Sequence, residues 1–332
     1  MYLPATYEAA LFFMILSMLS WGSWANTLKL CPQFRFQLFY WDYAIGVLVG
    51  AVLWGATAGN ANLYGPGFFL AIMQAPPTEI GFAFAGGVIF NIANLLLVAA
   101  IDVAGLAVAF PIGIGLALVL GTLASYRVSP AGNPLLLFSG VSLVAVAIVL
   151  DALAYRKREL KNATTSTRGI ALSLIAGVLM GSFYPFVARA MHGTEMHPAT
   201  GPYAVAVFFS MGVLLSTFPA NGLLMLWPLD GKPRVGLGPY WRAPVRWHLA
   251  GLMGGGIWCT GAVANFVASS VHLVGPAVSY SIGQGATMVS ALWGVFVWRE
   301  FAGAPPVAKR LLVLMFVFFV VGLGAVAIAP LY

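Results

Sequence analysis

Apolar residues run along the chain in blocks of about twenty, separated by short connections rich in glycine, proline and charge. That block length is what an α-helix needs to cross a ~30 Å hydrocarbon core; the strands of a membrane barrel would be about ten residues long and alternate in polarity. Ten spans are predicted: Glu8 to Leu28, Phe36 to Thr57, Ile80 to Ala100, Val103 to Tyr126, Pro134 to Ala154, Gly169 to Ala190, Pro202 to Leu223, Arg246 to Ala268, Leu273 to Trp298 and Lys309 to Leu331. Spans three and four, and spans eight and nine, nearly touch, which predicts tight antiparallel hairpins.

The pattern is written twice. Gly86-Gly87 returns as Gly255-Gly256 at an offset of 169, and Ile112-Gly113-Ile114-Gly115 returns as Ile282-Gly283-Gln284-Gly285 at 170. Gly22-Ser23-Trp24 matches Gly181-Ser182-Phe183 at 159, and Asp42-Tyr43-Ala44 matches Pro202-Tyr203-Ala204 at 160. Five spans per copy is an odd number, so the second copy enters the membrane upside down. The expected organisation is a first five-helix repeat over residues 1–154, a basic cytoplasmic linker over 155–168 and a second repeat over 169–332.

Composition agrees with an all-α integral membrane protein. Of 332 residues 61% are hydrophobic and 8% charged, with mean hydropathy +0.93, against a charged fraction of roughly 25% in soluble domains. The formal charge of +7 could suggest nucleic acid. Yet the basic residues lie in the connections, where they orient a membrane protein. With the N-terminus outside, 14 of the 16 lysines and arginines fall on the inner face, leaving Arg127 and Arg189 outside. Both termini are therefore expected to be extracytoplasmic. No basic stretch precedes the first apolar run, so that run reads as a retained helix. Cys31 and Cys259 fit no metal or redox spacing. No cofactor is called for. His192, His197, His248 and His272 are scattered over loops and helix ends, and no phosphate loop or nucleophile elbow occurs, which argues against an enzyme.

Polar groups inside lipid are costly, so their positions point to chemistry. Asn91 and Asn94 share a face of span three with Gly87, Tyr280 and Gln284 share a face of span nine with Pro276 and Thr287, and span eight adds Thr260 and Asn265. Together they could form a hydrogen-bonding cup at the bilayer midplane. The competing reading is that they join helices to one another at ~0.6 kcal/mol per bond. Trp21 and Trp24, with Phe183 and Tyr184 in the other copy, could stack on a planar or sugar-like solute. Asp42, some six residues into span two, is the candidate proton carrier, unless it pairs with Lys29 or Arg35; Glu8 is a second candidate. Asp102 and Asp151 read as turn and helix-end residues.

These features resemble the drug/metabolite transporter superfamily and, within it, the ureide permeases of plants and their bacterial relatives. The carrying stretches are Met1-Tyr2-Leu3 with Glu8, Gly22-x-Trp24, Tyr40-Trp41-Asp42-Tyr43, Phe82-Ala-Phe-Ala-Gly86-Gly87, Ala176-Gly177, and Trp293-Gly294-Val295 followed by Glu300. The resemblance implies ten helices, extracytoplasmic termini and proton-linked import of small nitrogen-rich heterocycles such as allantoin, uracil or purines. The central linker departs from the family, lacking the longer cytosolic loop of the plant proteins. The expected protein is a secondary transporter of the bacterial inner membrane whose partners are a small polar solute, protons and lipid. A monosaccharide porter of the glucose/ribose or rhamnose kind is the alternative, followed by an exporter of amphipathic compounds. The chain is monomer-sized, and its sequence does not fix an oligomeric state.

Overall fold

The structure is a computed structural model and describes residues 1–61, 67–158, 166–192, 200–229, 231–270 and 274–332. The middle of the expected linker, 159–165, and the turn at His272 lie outside the described residues, as does His197. Every described regular element is helical, as lipid requires of a chain that must satisfy its own backbone.

Eight long helices follow in order: α1 Tyr7–Ser23, α2 Phe36–Ala56, α3 Pro77–Ala104, α4 Leu106–Val128, α5 Pro134–Arg158, α6 Thr167–Met191, α7 Pro202–Leu226 and α8 Val245–Ser269. Proline opens α3 and α7, where its missing N–H costs nothing, and the Thr6 hydroxyl caps α1 by accepting from Ala9 N at 3.3 Å. Between α3 and α4 stands one residue, Gly105, at φ +80°, a backbone that side-chain-bearing residues rarely adopt.

The ninth predicted span differs from expectation. Where a single helix was expected from Leu273 to Trp298, α9 covers Gly275–Gly283, α10 covers Ala286–Leu292, and a π-helical turn runs over Trp293–Val297. The reason is local: Gln284 lies between two glycines, and the Gly285 N–H turns back to Ile282 O at 2.9 Å instead of continuing the α-helical ladder. The last long helix, α11, is Pro306–Ile328. Among the described residues, nine helical stretches are long and apolar enough to cross a membrane, and α9–α10 is not one of them. Large apolar side chains such as Phe12, Leu53, Val313 and Val320 cover the outside of the bundle, where lipid would meet them.

The main helix pairs are α1–α8, α3–α6, α2–α8, α3–α7, α2–α7, α4–α6, α4–α5, α1–α10, α4–α9 and α5–α11. Two of these crossings are one contact made twice. At α2–α8 a methyl on Gly46 would run into Leu252 O and one on Gly255 into Tyr43 O; at α3–α7 Gly212 meets Phe84 O and Gly87 meets Phe209 O in the same way. The match pairs Gly46 with Gly212 at an offset of 166, not the 160 suggested by Asp42-Tyr43-Ala44, because Pro202 opens its helix whereas Asp42 lies almost two turns into α2.

The two ends of the bundle are chemically distinct. At one, Lys29 pairs with Glu300 at 2.6 Å, Arg158 with Glu300 at 3.2 Å and Lys232 with Asp102 at 3.2 Å. At the other, Tyr2 N donates to Ala58 O at 2.8 Å, Tyr203 Oη to Tyr2 O at 3.0 Å and Asn133 N to Ala329 O at 2.8 Å.

Candidate functional site

A cavity of about 780 Å³ runs into the bundle from the charged end. Its mouth carries Arg35, Gln37, Asp102 and Lys232, and its depth is walled by Trp21, Trp24, Phe90, Phe183 and Trp258. The walls come from helices on both sides of residues 159–165 in the chain. Their rings are ordered: Trp21 stacks on Trp258 at 5.9 Å and 19°, and Phe90 lies 4.3 Å from Trp258. Stacked on one another, these rings present the cavity with a continuous flat aromatic wall against which a flat solute can lie. Asn94 and Gln284, with Thr287 and Ser290 of α10, supply the polar points on the wall. Gln284 reaches the cavity because the helix breaks at its position. Few polar groups in a mostly apolar pocket is the usual build of a small-molecule site.

Of the residues singled out in the sequence, Trp21, Trp24, Asn94, Phe183 and Gln284 meet on this wall. Others lie one layer behind it, in two hydrogen-bonded clusters. In the first, Tyr40 Oη donates to Asn91 Oδ1 at 2.8 Å, Asn94 Nδ2 donates to Tyr40 Oη at 3.1 Å and Asn91 Nδ2 donates to Ser216 Oγ at 2.8 Å. This ties α2, α3 and α7 together and orients Asn94. In the second, Tyr184 Oη donates to Asn265 Oδ1, and Asn265 Nδ2 donates to Ser17 Oγ at 3.0 Å and Ser279 O at 2.9 Å. Tyr280 Oη donates to Ala117 O at 3.2 Å, and Thr260 accepts from Trp54 Nε1 at 3.0 Å; neither lines the cavity.

Asp42 is buried away from the cavity, and its partners are not Lys29 or Arg35. Tyr240 Oη donates to Asp42 Oδ1 at 2.7 Å, and His248 Nδ1 lies 2.8 Å from Oδ2. These groups join α2 to the connection before α8 and to α8 itself. Burial, followed by the hydrogen bond to Asp42 and its charge, pushes the Tyr240 hydroxyl above its ordinary range, so it remains a donor. Glu8 is exposed in the first turn of α1, at the end remote from the cavity mouth.

Trp258 and Phe90 were not singled out in the sequence, although they carry the stack. A signal existed: Trp258 follows Gly254-Gly255-Gly256-Ile257 just as Phe90 follows Gly86-Gly87-Val88-Ile89. Lys232 was legible only as a topology charge, and Arg35 as that or as a partner of Asp42, because their approach to the cavity depends on how residues 231–235 fold back; Arg35 Nη1 donates to Pro233 O at 2.6 Å.

A bundle of membrane-crossing helices around an aromatic cavity open at one end defines a multi-pass membrane protein with a small-molecule site. Comparison with known proteins narrows the class. Residues 39–160 match the family described as Ureide permease. Over 98% of its length the chain is 23% identical to Ureide permease 1 of Arabidopsis thaliana, covering 97% of that protein, and it is 23% identical to Ureide permease 2 of the same plant over 99% of the chain and 98% of the relative. Both of these relatives are named as permeases and neither as an enzyme. A crystal structure superposes with a TM-score of 0.58 over 95% of this chain and 96% of its own, at 16% identity, a likeness of fold alone.

Proposed function

We propose that the protein is a secondary transporter that moves a small, flat, nitrogen-rich solute of the ureide or nucleobase class by alternating access, with the solute held between Trp21, Trp24, Phe183 and Trp258 and hydrogen-bonded by Asn94 and Gln284. The observation that carries this is the ring-walled cavity, with its mouth at the charged end, in a chain similar over nearly its whole length to ureide permeases. The buried residues Asn91, Tyr184, Asn265 and Tyr280 hold that wall in shape, and Thr260 braces α8 against α2.

Ten spans in two inverted repeats are part of the reading, with α9, α10 and the π turn forming the ninth. The duplicated glycine crossings support it: exchanging the copies carries α2–α8 onto α7–α3, and α1–α8 onto α6–α3. Such a pair of halves can trade conformations, closing the charged end as the other opens. The excess of basic residues at the open end supports placing that end in the cytoplasm of a bacterial cell, with both termini outside. Import is proton-linked in this reading, with Asp42 acting through the α2–α8 crossing beside it rather than by touching the solute; a methyl on Gly251 would stand 2.5 Å from Asp42 Cβ.

Uptake of radiolabelled allantoin and uracil into proteoliposomes, with and without an inward proton gradient, tests the reading. Replacing Trp21 by Ala removes part of the aromatic wall and should raise the half-saturating concentration by about tenfold. Uptake confined to glucose or rhamnose would replace the ureide reading by the sugar-porter one.

A further inference from the structure

Asp151 is a buried carboxyl that the transport reading leaves unused. It lies in α5 with 4% of its surface exposed, and its Oδ1 is enclosed without a hydrogen-bond partner. One turn on, Tyr155 Oη donates to Glu300 Oε2 at 2.9 Å, and Arg158, on the same face, reaches that oxygen at 3.2 Å. Lys29, just past α1, holds the other Glu300 oxygen at 2.6 Å. Glu300 is thus fully engaged, whereas Asp151 is enclosed beside it with an oxygen left over. From the remaining neighbours, α4 brings no charged side chain to this end, and Lys309 and Arg310 of α11 are exposed.

This cluster backs onto the cavity wall. Thr287 and Ser290 of α10 line the cavity, and the π turn that follows puts Gly294 against the cluster: a methyl there would stand 3.0 Å from Tyr155 Oη and 3.2 Å from Glu300 Oε2. π turns are rare and frequently fall at functional sites. On the α1 side, Trp293 Nε1 donates to Ser23 Oγ at 2.9 Å and the Lys29 ammonium sits 4.7 Å from the Trp298 ring, one turn from Trp24 and Leu28 on the wall. The two elements that touch the solute site therefore also touch the groups around Asp151.

We propose that Asp151 is a proton-binding site of the transport cycle, in addition to Asp42. An enclosed carboxylate with an unpaired oxygen beside the fixed charge of Glu300 is unfavourable as an ion. The carboxyl takes up a proton, forming an O–H bond, and the solute-bearing wall governs its release. When α1 moves to close the cavity, Lys29 shifts relative to Glu300, and the field at Asp151 changes with it. The proton then leaves through the side of Glu300 that faces water at the charged end.

The inference rests on the transport reading, so its test has two readouts. The first is the infrared carbonyl band of a neutral carboxylic acid, recorded between acid and neutral pH on the reconstituted protein. Wild type should show a titrating band that Asp151→Asn lacks and Asp151→Glu retains; equal bands in wild type and Asp151→Asn would overturn the proposal whatever the transport result. The second is proteoliposome transport of allantoin. Asp151→Asn should keep equilibrium exchange within about twofold of wild type while losing the roughly tenfold accumulation that one pH unit sustains per proton. Accumulation at the wild-type level in that variant would also overturn it. If wild type shows the band but moves no ureide, the transport reading falls and the protonation of Asp151 stands.

Discussion

At the charged end of the bundle lie three ion pairs, Lys232–Asp102 at the cavity mouth and Lys29–Glu300 and Arg158–Glu300 behind its wall. At the opposite end, hydrogen bonds rather than ion pairs join the described residues: the N-terminal residues lie against Ala58 and Tyr203, and the Thr200 N–H and hydroxyl both donate to the buried Glu79 carboxyl group. Exposed ion pairs are individually weak and exchange readily with water. Buried hydrogen bonds are expensive to leave unmade. The comparison therefore assigns different work to the two ends: one changes partners at low cost, and the other is a clasp that must be released as a unit. A transporter that alternates needs both ends to yield, and the sealed one should set the larger barrier.

The strongest way to break this contrast is to fix the weak end. Cysteines at Lys232 and Asp102 joined by a short thiol cross-linker would bind the 227–235 segment across the mouth, the native Cys31 and Cys259 both being buried. Uptake should fall roughly 100-fold and return when the link is cleaved. Unchanged uptake would mean that the mouth at Lys232 is not the solute path. A smaller effect is expected at the sealed end. Glu79→Ala leaves the Thr200 N–H and hydroxyl without their acceptor and should lower stability by about 1–3 kcal/mol, read as a lower unfolding temperature in detergent. Glu79→Gln, which keeps an acceptor, should lose less. Equal stability in all three proteins would remove the clasp from the comparison.

Much of the fold was written in the hydrophobic pattern, because lipid makes that pattern nearly obligatory. Phe36 to Thr57 became α2 Phe36–Ala56, and Arg246 to Ala268 became α8 Val245–Ser269. The helix break at Gln284 was not legible, since Ile282-Gly283-Gln284-Gly285 reads as a packing motif until its neighbours are known. The site was half legible for a related reason. Periodicity selects a face of a helix, but whether that face meets solute or another helix depends on what packs there. Asn91 and Asn94 are one turn apart, yet Asn94 meets the cavity while Asn91 is consumed by Tyr40 and Ser216. Asp42 finds its partners 198 and 206 residues away, in the connection before α8 and in α8 itself, which no local pattern ties to it. Asp151 read as a helix-end acid because the sequence could not show that its Oδ1 would be enclosed without a partner.

The smallest effect tests the charged end through pH. Burial alone would raise Glu300, but hydrogen bonds from Lys29 and Tyr155 and the charges of Lys29 and Arg158 outweigh it and bring the carboxyl below its ordinary value of 4.5. A carboxyl depressed by folding binds its proton more readily in the unfolded chain, so stability rises with pH across that interval. The stabilisation is complete above about 4.5 and is lost as pH falls through the lower, folded value. Comparing unfolding temperatures of wild type and Glu300→Gln along a pH series should show wild type higher at neutral pH and the gap closing below about pH 4.5. The gap should also shrink with added salt, since the partly exposed Lys29 pair is screened. A gap that persisted unchanged into acid would mean that Glu300 acts through packing rather than charge, and the charged end would then be as fixed as the sealed one.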